Sequence, residues 1–293
     1  MAAVEAEPGK RSSLPAGEGI SAAPLPVMPA GSATERALRT ALPIAMLLLL
    51  LVVWQLYVVV AEVPHYILPS PLRIAQAMAT DCPILLPALL ITLKITFLAL
   101  AIALVGGVAM AVLMAQSRWI ELALYPYAVI LQVTPVVAIA PLIIIYAPTT
   151  QTALLICAWL VAFFPVLSNT SQGLRSTDHN LLNLFELYGA SRWQTLIYLQ
   201  IPNALPYFLA GLRIAGGLAL IAAVVAEFAA GSAGAGSGLA FRLLESQFRL
   251  NIPRLFAALL LLSLTGVLIY FATSLISHLA LRRWHESAVR REN

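Results

Sequence analysis

What limits this chain most is a succession of apolar stretches, each long enough to cross a bilayer and almost free of charge. The first, from about Leu42 to Ala61, contains no charged side chain. Five more follow at about 86–115, 122–146, 152–170, 207–228 and 255–281. A half-buried strand would alternate, and a surface helix would show one apolar stripe. These runs are apolar all round. In lipid every backbone N–H and C=O must find its partner within the protein, which leaves helices as the economical solution for runs of this length. The composition, 61% hydrophobic and 10% charged, departs from soluble domains in the same direction. The expected fold is an all-α integral membrane protein with six transmembrane helices.

The remaining segments are short. Residues 1–40 are rich in Ala, Pro, Gly and Ser with no hydrophobic period, and read as a disordered tail before a membrane domain at 41–284. They hold no short apolar core of the kind a secretory leader needs, so the first run is expected to be retained. Pro71 to Thr80 reads as a short interfacial helix. Gly106, Gly107 and the flanking alanines permit close helix approach in the second run. Pro135 and Pro141 interrupt the third and free carbonyls at membrane depth, a break tolerated where it faces protein or a water-filled path. Residues 285–293 form a basic tail. Cys82 and Cys157 are too few and too far apart in character for a disulfide framework.

Orientation follows from lysine and arginine. With the N-terminus inside, eleven fall on the cytoplasmic side and only Arg73, Arg242, Arg249 and Arg254 outside. That bias places both termini in the cytoplasm of a multi-pass inner (plasma) membrane protein.

It also places in the cytoplasm a polar island at about 174–206, within the stretch SQGLRSTDHNLLNLFELYGASRWQTLIYLQIPNALP. Leu181, Leu184, Phe185 and Tyr188 share a helical face there. Thr177 or Asp178 can cap that helix, and Gly189 can end it. Ser191 with Gln194 reads as a capping box opening a second helix, which Pro202 is expected to limit. Two helices this short cannot stand alone, so their apolar faces must dock on something.

Gly189, nine residues, then Leu199-Gln200-Ile201-Pro202 resembles the cytoplasmic loop of binding-protein-dependent ABC importer permeases, whose pattern is E-A-A, three residues, G, nine residues, I-x-L-P. GASRW and IPNALPYFLAGLRIAGGLALIAAVVAEF are most similar to the branch carrying nitrate, sulfonates and taurine. TPVVAIAPL adds to the likeness, although Ala147-Pro148 replaces a frequent Phe-Gly pair. The E-A-A triplet falls on Asn183-Leu184-Phe185, with Glu186 one place late. The resemblance implies a type I permease whose loop, with Asn183, Leu184, Phe185, Glu186, Gly189, Ala190 and Pro202, couples to a cytoplasmic ATPase. It further implies a second permease copy in a homodimer and a periplasmic or lipid-anchored solute-binding protein. ATP and Mg would bind in the partner ATPase subunit, and no cofactor in this chain. The plain alternative is an ordinary loop joining two spans.

No nucleotide-binding motif appears. The run Gly231 to Gly238 lacks the Lys-Ser/Thr of a P-loop and reads as a flexible link. Neither HExxH nor paired cysteines occur, and His65, His179, His278 and His285 are scattered, so the chain is not expected to be an enzyme or to hold a metal. Charge inside the spans is more informative. Lys94 can snorkel to an interface. Arg213, Glu227, Pro135 and Pro141 are the candidates for lining a translocation path for a small polar or anionic solute, although snorkelling or a boundary position would also suit Arg213 and Glu227. The competing class is a secondary transporter or channel driven by an ion gradient, for which neither inverted repeats nor a midplane carboxylate is evident. A membrane scaffold would leave the two prolines of one span without a purpose.

Overall fold

The computed structural model describes residues 33–231 and 236–282. Most of the expected N-terminal tail, the middle of the Gly/Ser link and the basic tail lie outside these residues. The chain divides into two compact units, 1–52 and 53–293. In the first, α1 (Ala33–Val60) runs up to Val52, with Leu42 to Leu50 exposed along it. It starts ahead of the expected tail boundary, because Ala33-Thr34-Glu35-Arg36-Ala37-Leu38 contains strong helix formers that extend the span.

Every regular element among the second unit's described residues is helical: the end of α1, then α2 (Pro71–Thr80), α3 (Cys82–Gln116), α4 (Arg118–Val133), α5 (Val136–Tyr146), α6 (Thr150–Arg175), α7 (His179–Leu187), α8 (Arg192–Thr195), α9 (Ile201–Ala230), α10 (Leu239–Phe248) and α11 (Ile252–Leu281). Five stretches are long and apolar enough to cross a membrane: Ala41–Val60, α3, α6, the run from α8 through α9, and α11. The sixth is the pair α4 and α5, bent by 100°. The bend falls at Thr134-Pro135. Pro135 caps α5, and the Thr134 hydroxyl turns back to the Ile130 carbonyl at 2.6 Å. Pro141 does not interrupt anything. It lies within α5, where it removes one hydrogen bond and the helix continues.

α3, α6 and α9 make the centre of the second unit. Their contact is built from small residues, as expected where lipid gives no hydrophobic drive for helices to associate. Ala99, Ala103 and Ala111 of α3 are fully buried, and so are Ala158 and Ala162 of α6 and Ala215, Ala219 and Ala223 of α9. Gly107 lies so close to α6 that a Cβ would stand 2.9 Å from a Val166 methyl. Gly211 of α9 is pressed equally close, 2.9 Å, against Asn169 and the Pro165 carbonyl. Gly106 meets only ordinary contact with Phe163. Outward faces carry Leu90, Phe97 and Val105 on α3 and Leu264, Leu268 and Phe271 on α11. α2 covers the residues expected of it, and Arg254 of α11 grips Asp81 between α2 and α3 through two bonds of 2.7 Å.

Pro202 is not a stop. α8, a π-helical turn at Leu196–Gln200 and α9 form one run. A proline ring collides with the carbonyl four residues back in an α-helix. The wider turn resets that register, with the Ile201 amide donating to Leu196, so Pro202 enters near the start of α9.

Candidate functional site

The loop between α6 and α9 is held by caps at each joint. Asp178, and not Thr177, caps α7: its Oδ1 accepts from the Asn180 amide at 2.8 Å, while the Thr177 hydroxyl is buried on the Leu174 carbonyl. At the far end Gly189 takes φ +68°. The Gly189 amide donates to Glu186 and the Ala190 amide to Phe185, both at 2.9 Å, which is the Schellman arrangement. The capping box also forms, with Ser191 N–H to Gln194 Oε1 at 2.7 Å and Gln194 N–H to Ser191 Oγ at 3.3 Å. Asn203 Nδ2 donates to Ser176 Oγ at 3.1 Å and so ties the start of the loop to α9.

The apolar stripe of α7 divides between two surfaces. Phe185, and Leu182 beside the stripe, are half-buried. Leu184 is 44% exposed, and Leu187 and Tyr188 are each 84% exposed. Phe185 is therefore less open than its neighbours on the stripe, and Leu187, which the stripe did not include, stands as far out as Tyr188. Asn183 is exposed, Ala190 half-buried, and Glu186 lines a cleft of about 420 Å³ with Gln116, Leu182, Arg192 and Gln200. Beyond the loop, Trp193, Ile197 and Tyr198 are exposed as well.

An ion pair that sequence reasoning missed lies directly behind the loop. Arg175, the last residue of α6, pairs with Glu121 in the first turn of α4. Both border a cleft of about 540 Å³ lined by Tyr125, Ser168, Ser171 and Gln172. In the sequence Glu121 falls with Arg118 in the short break between the runs 86–115 and 122–146, where nothing names its partner.

The expected path groups do not come together in one place. Pro135 and Pro141 are exposed on the bent pair. Arg213 is half-buried in α9, its guanidinium carbon 5.9 Å from the Tyr270 ring centre, and its Nε is buried without an acceptor. Among the described residues it has no carboxylate within ion-pair reach. Lys94 is exposed at a cleft of about 300 Å³ with Thr149, Gln151 and Thr152. Glu227 is only 3% exposed. Its Oε1 accepts from the Thr92 hydroxyl at 2.7 Å and its Oε2 from the Ala240 amide at 2.9 Å. Among the described residues no three His, Cys, Asp or Glu side chains gather as a metal site would require.

Comparison with known proteins agrees with this architecture. The family described as "binding-protein-dependent transport system inner membrane component" matches residues 103–285. A riboflavin transport system permease protein of Chloroflexus aurantiacus is 36% identical over 245 residues, 82% of this chain and 89% of that protein. A protein of Escherichia coli K12 named as an aliphatic sulfonates transport permease is 30% identical over 166 residues, 57% of this chain and 62% of its own. Among solved structures, an amino acid ABC transporter matches with a TM-score of 0.58 at 21% identity, over 71% of this chain and 97% of that one, which supports the fold alone. The helical order, the Gly189 loop and a family match over most of the second unit lead to one conclusion: the chain belongs to the binding-protein-dependent transport system inner membrane components, the membrane-spanning permeases of ABC transporters.

Proposed function

We propose that this permease forms the path for a small polar or anionic solute, handed over by an external binding protein and driven by ATP hydrolysis in a separate cytoplasmic subunit. The observation that carries the proposal is the unpartnered apolar knob Leu184, Leu187 and Tyr188, presented by a helix capped at both ends. Such a knob is an anchor for a groove on another protein, read by residues at helical spacing. The two copies of the permease, the two ATPase subunits with bound ATP-Mg, and the cytoplasmic position of loop and termini belong to the same reading.

For the solute, the relatives are named for riboflavin and for aliphatic sulfonates. A half-buried guanidinium with an unoccupied donor favours the anionic end of that range. Reconstituted vesicles holding the permease, its ATPase and its binding protein should take up solute only with ATP. Arg213→Gln should lower uptake of a sulfonate at least tenfold, on the scale of one lost charge-assisted contact, with subunits retained on purification. Unchanged sulfonate uptake would remove Arg213 from the path. Uptake without ATP, or driven by an ion gradient, would overturn the importer reading.

A further inference from the structure

At the end of the second unit away from the loop, α10 begins without a cap of its own. Its N-cap residue is Gly238, which has no side chain to offer the first amides. Those amides are not idle. The Ala240 amide donates to Glu227 Oε2, and the Phe241 amide also reaches this carboxylate. The Leu239 amide donates to Thr92 Oγ1 at 2.9 Å, and that hydroxyl donates onward to Glu227 Oε1 at 2.7 Å. A side chain on α9 and one on α3 thus do together what an N-cap residue does locally. Gly238 is at φ −84°, an ordinary value, so its lack of a Cβ has another cause. A Cβ there would run into the Glu227 carboxylate itself. The glycine makes room for the anion.

We infer that Glu227 is a positioning residue: its carboxylate, with the Thr92 hydroxyl, caps α10 across the α9–α10 link and fastens α3, α9 and α10 into one body at this end of the permease. A carboxylate this deeply buried is tolerated because several donors converge on it. Its acceptors are committed to the wall, so it acts on transport through α10 and not by touching solute. α10 in turn packs against α11 and ends on the exposed Phe248, with the exposed Leu250 just beyond it. The link from this cap to uptake rests on the importer reading; the cap itself does not.

Hydrogen exchange of the full-length protein tests it, read on the peptide covering Leu239 to Phe248 with peptides of α6 as internal reference. Glu227→Gln and Gly238→Ala should each speed exchange of the α10 amides about tenfold, the scale of a lost cap, while α6 is unchanged. Thr92→Ser, which keeps the hydroxyl, should match the parent, and Thr92→Val should follow Glu227→Gln. Gly106→Ala serves as the control, since its added methyl meets only ordinary contact. In vesicles, uptake should fall in the order in which α10 loses protection. Normal protection in Gly238→Ala, or a rise spread equally over α6, would overturn the inference. So would loss of uptake in Glu227→Gln with α10 still protected, which would place the carboxylate in contact with solute. Exchange needs neither ATPase nor solute, so failure of ATP-driven uptake in the parent would count against the importer reading alone.

Discussion

Gly189 offers a perturbation whose size can be worked out before it is made. The residue sits at φ +68°, and no atom lies within 4 Å of the position a Cβ would take. A substitution therefore meets no neighbour in this chain, and the resistance is purely conformational. An L-residue held left-handed costs about 1–2 kcal/mol. A β-branched residue costs up to about 3 kcal/mol, whereas asparagine tolerates the region best. At about 1.4 kcal/mol per factor of ten, alanine should lower the ratio of ordered to disordered turn roughly tenfold, and valine by about a hundredfold. What is lost is the pair of bonds from Gly189 and Ala190 to the α7 carbonyls, and with them the fixed direction of Leu187 and Tyr188. Solute transported per ATP, measured in vesicles alongside subunit retention, should fall in the order Gly, Asn, Ala, Val. If asparagine is as damaging as valine, the site is limited by room against a partner and not by φ. If all three match the parent, the turn plays no part in transmission.

Three further outcomes are expected. With Cys82 and Cys157 removed, a membrane-impermeant thiol reagent on intact cells should label Phe248→Cys and spare Tyr188→Cys; the reverse would invert the topology. Gly211→Val must part α9 from α6 and should destabilise the permease by about 1–3 kcal/mol in denaturant titrations, with Gly106→Ala near neutral; equal stability of the two would contradict the observed contact. The hydrogen bond from Arg242, helped by the charges of Arg242, Arg249 and Arg254, holds the Glu245 carboxyl below its usual range despite some burial. A depressed folded pKa means that its support of α10 is complete at neutral pH and lost as pH falls through that lowered value. A nitroxide at Phe248→Cys should therefore loosen in acid, and Glu245→Gln should show no such step; a step of equal size in both would assign the transition to another group.

Much of this was legible from the residues. Long apolar runs with few charges located the spans, because charge at membrane depth is costly. The caps at Asp178, Gly189 and Ser191 could be read because capping is local chemistry, settled within four residues. The same locality explains what was missed. Whether Pro202 ends a helix depends on the turn before it, and a π turn at Leu196–Gln200 has no sequence signature of its own. Which side of α7 remains free depends on the fold around it, so the stripe put the exposed Leu184 and Tyr188 on one face with the half-buried Phe185. Glu227 looked like a path group because a carboxylate in an apolar run is unusual. Its partners, Thr92 and the α10 amides, lie 135 and 13 residues away, and no periodicity connects them.

On the proposed function, a push on the loop would travel through the following contacts. Gly173 of α6 is packed on Ala204 and Tyr207 so tightly that a Cβ would stand 2.8 Å from each, and Asn203 bridges to Ser176 beside them. α6 and α9 therefore leave the loop closely packed on one another, and on the proposed reading a movement that reaches one is shared with the other. Arg175 extends the connection to α4 through Glu121, and α4 ends at the Thr134-Pro135 bend. At its other end α9 carries Glu227 and hence α10. α5, beyond the bend, packs on α6 and α9 as well; on the proposed reading the bend at Thr134-Pro135, where no backbone ladder continues from α4 to α5, is the expected joint for a rotation of this pair. A cross-link between α4 and α6 close to Arg175 should then leave transport intact, because those elements move together. One between α4 and α5 across the bend should arrest it. Arrest by the first and tolerance of the second would place the moving joint elsewhere.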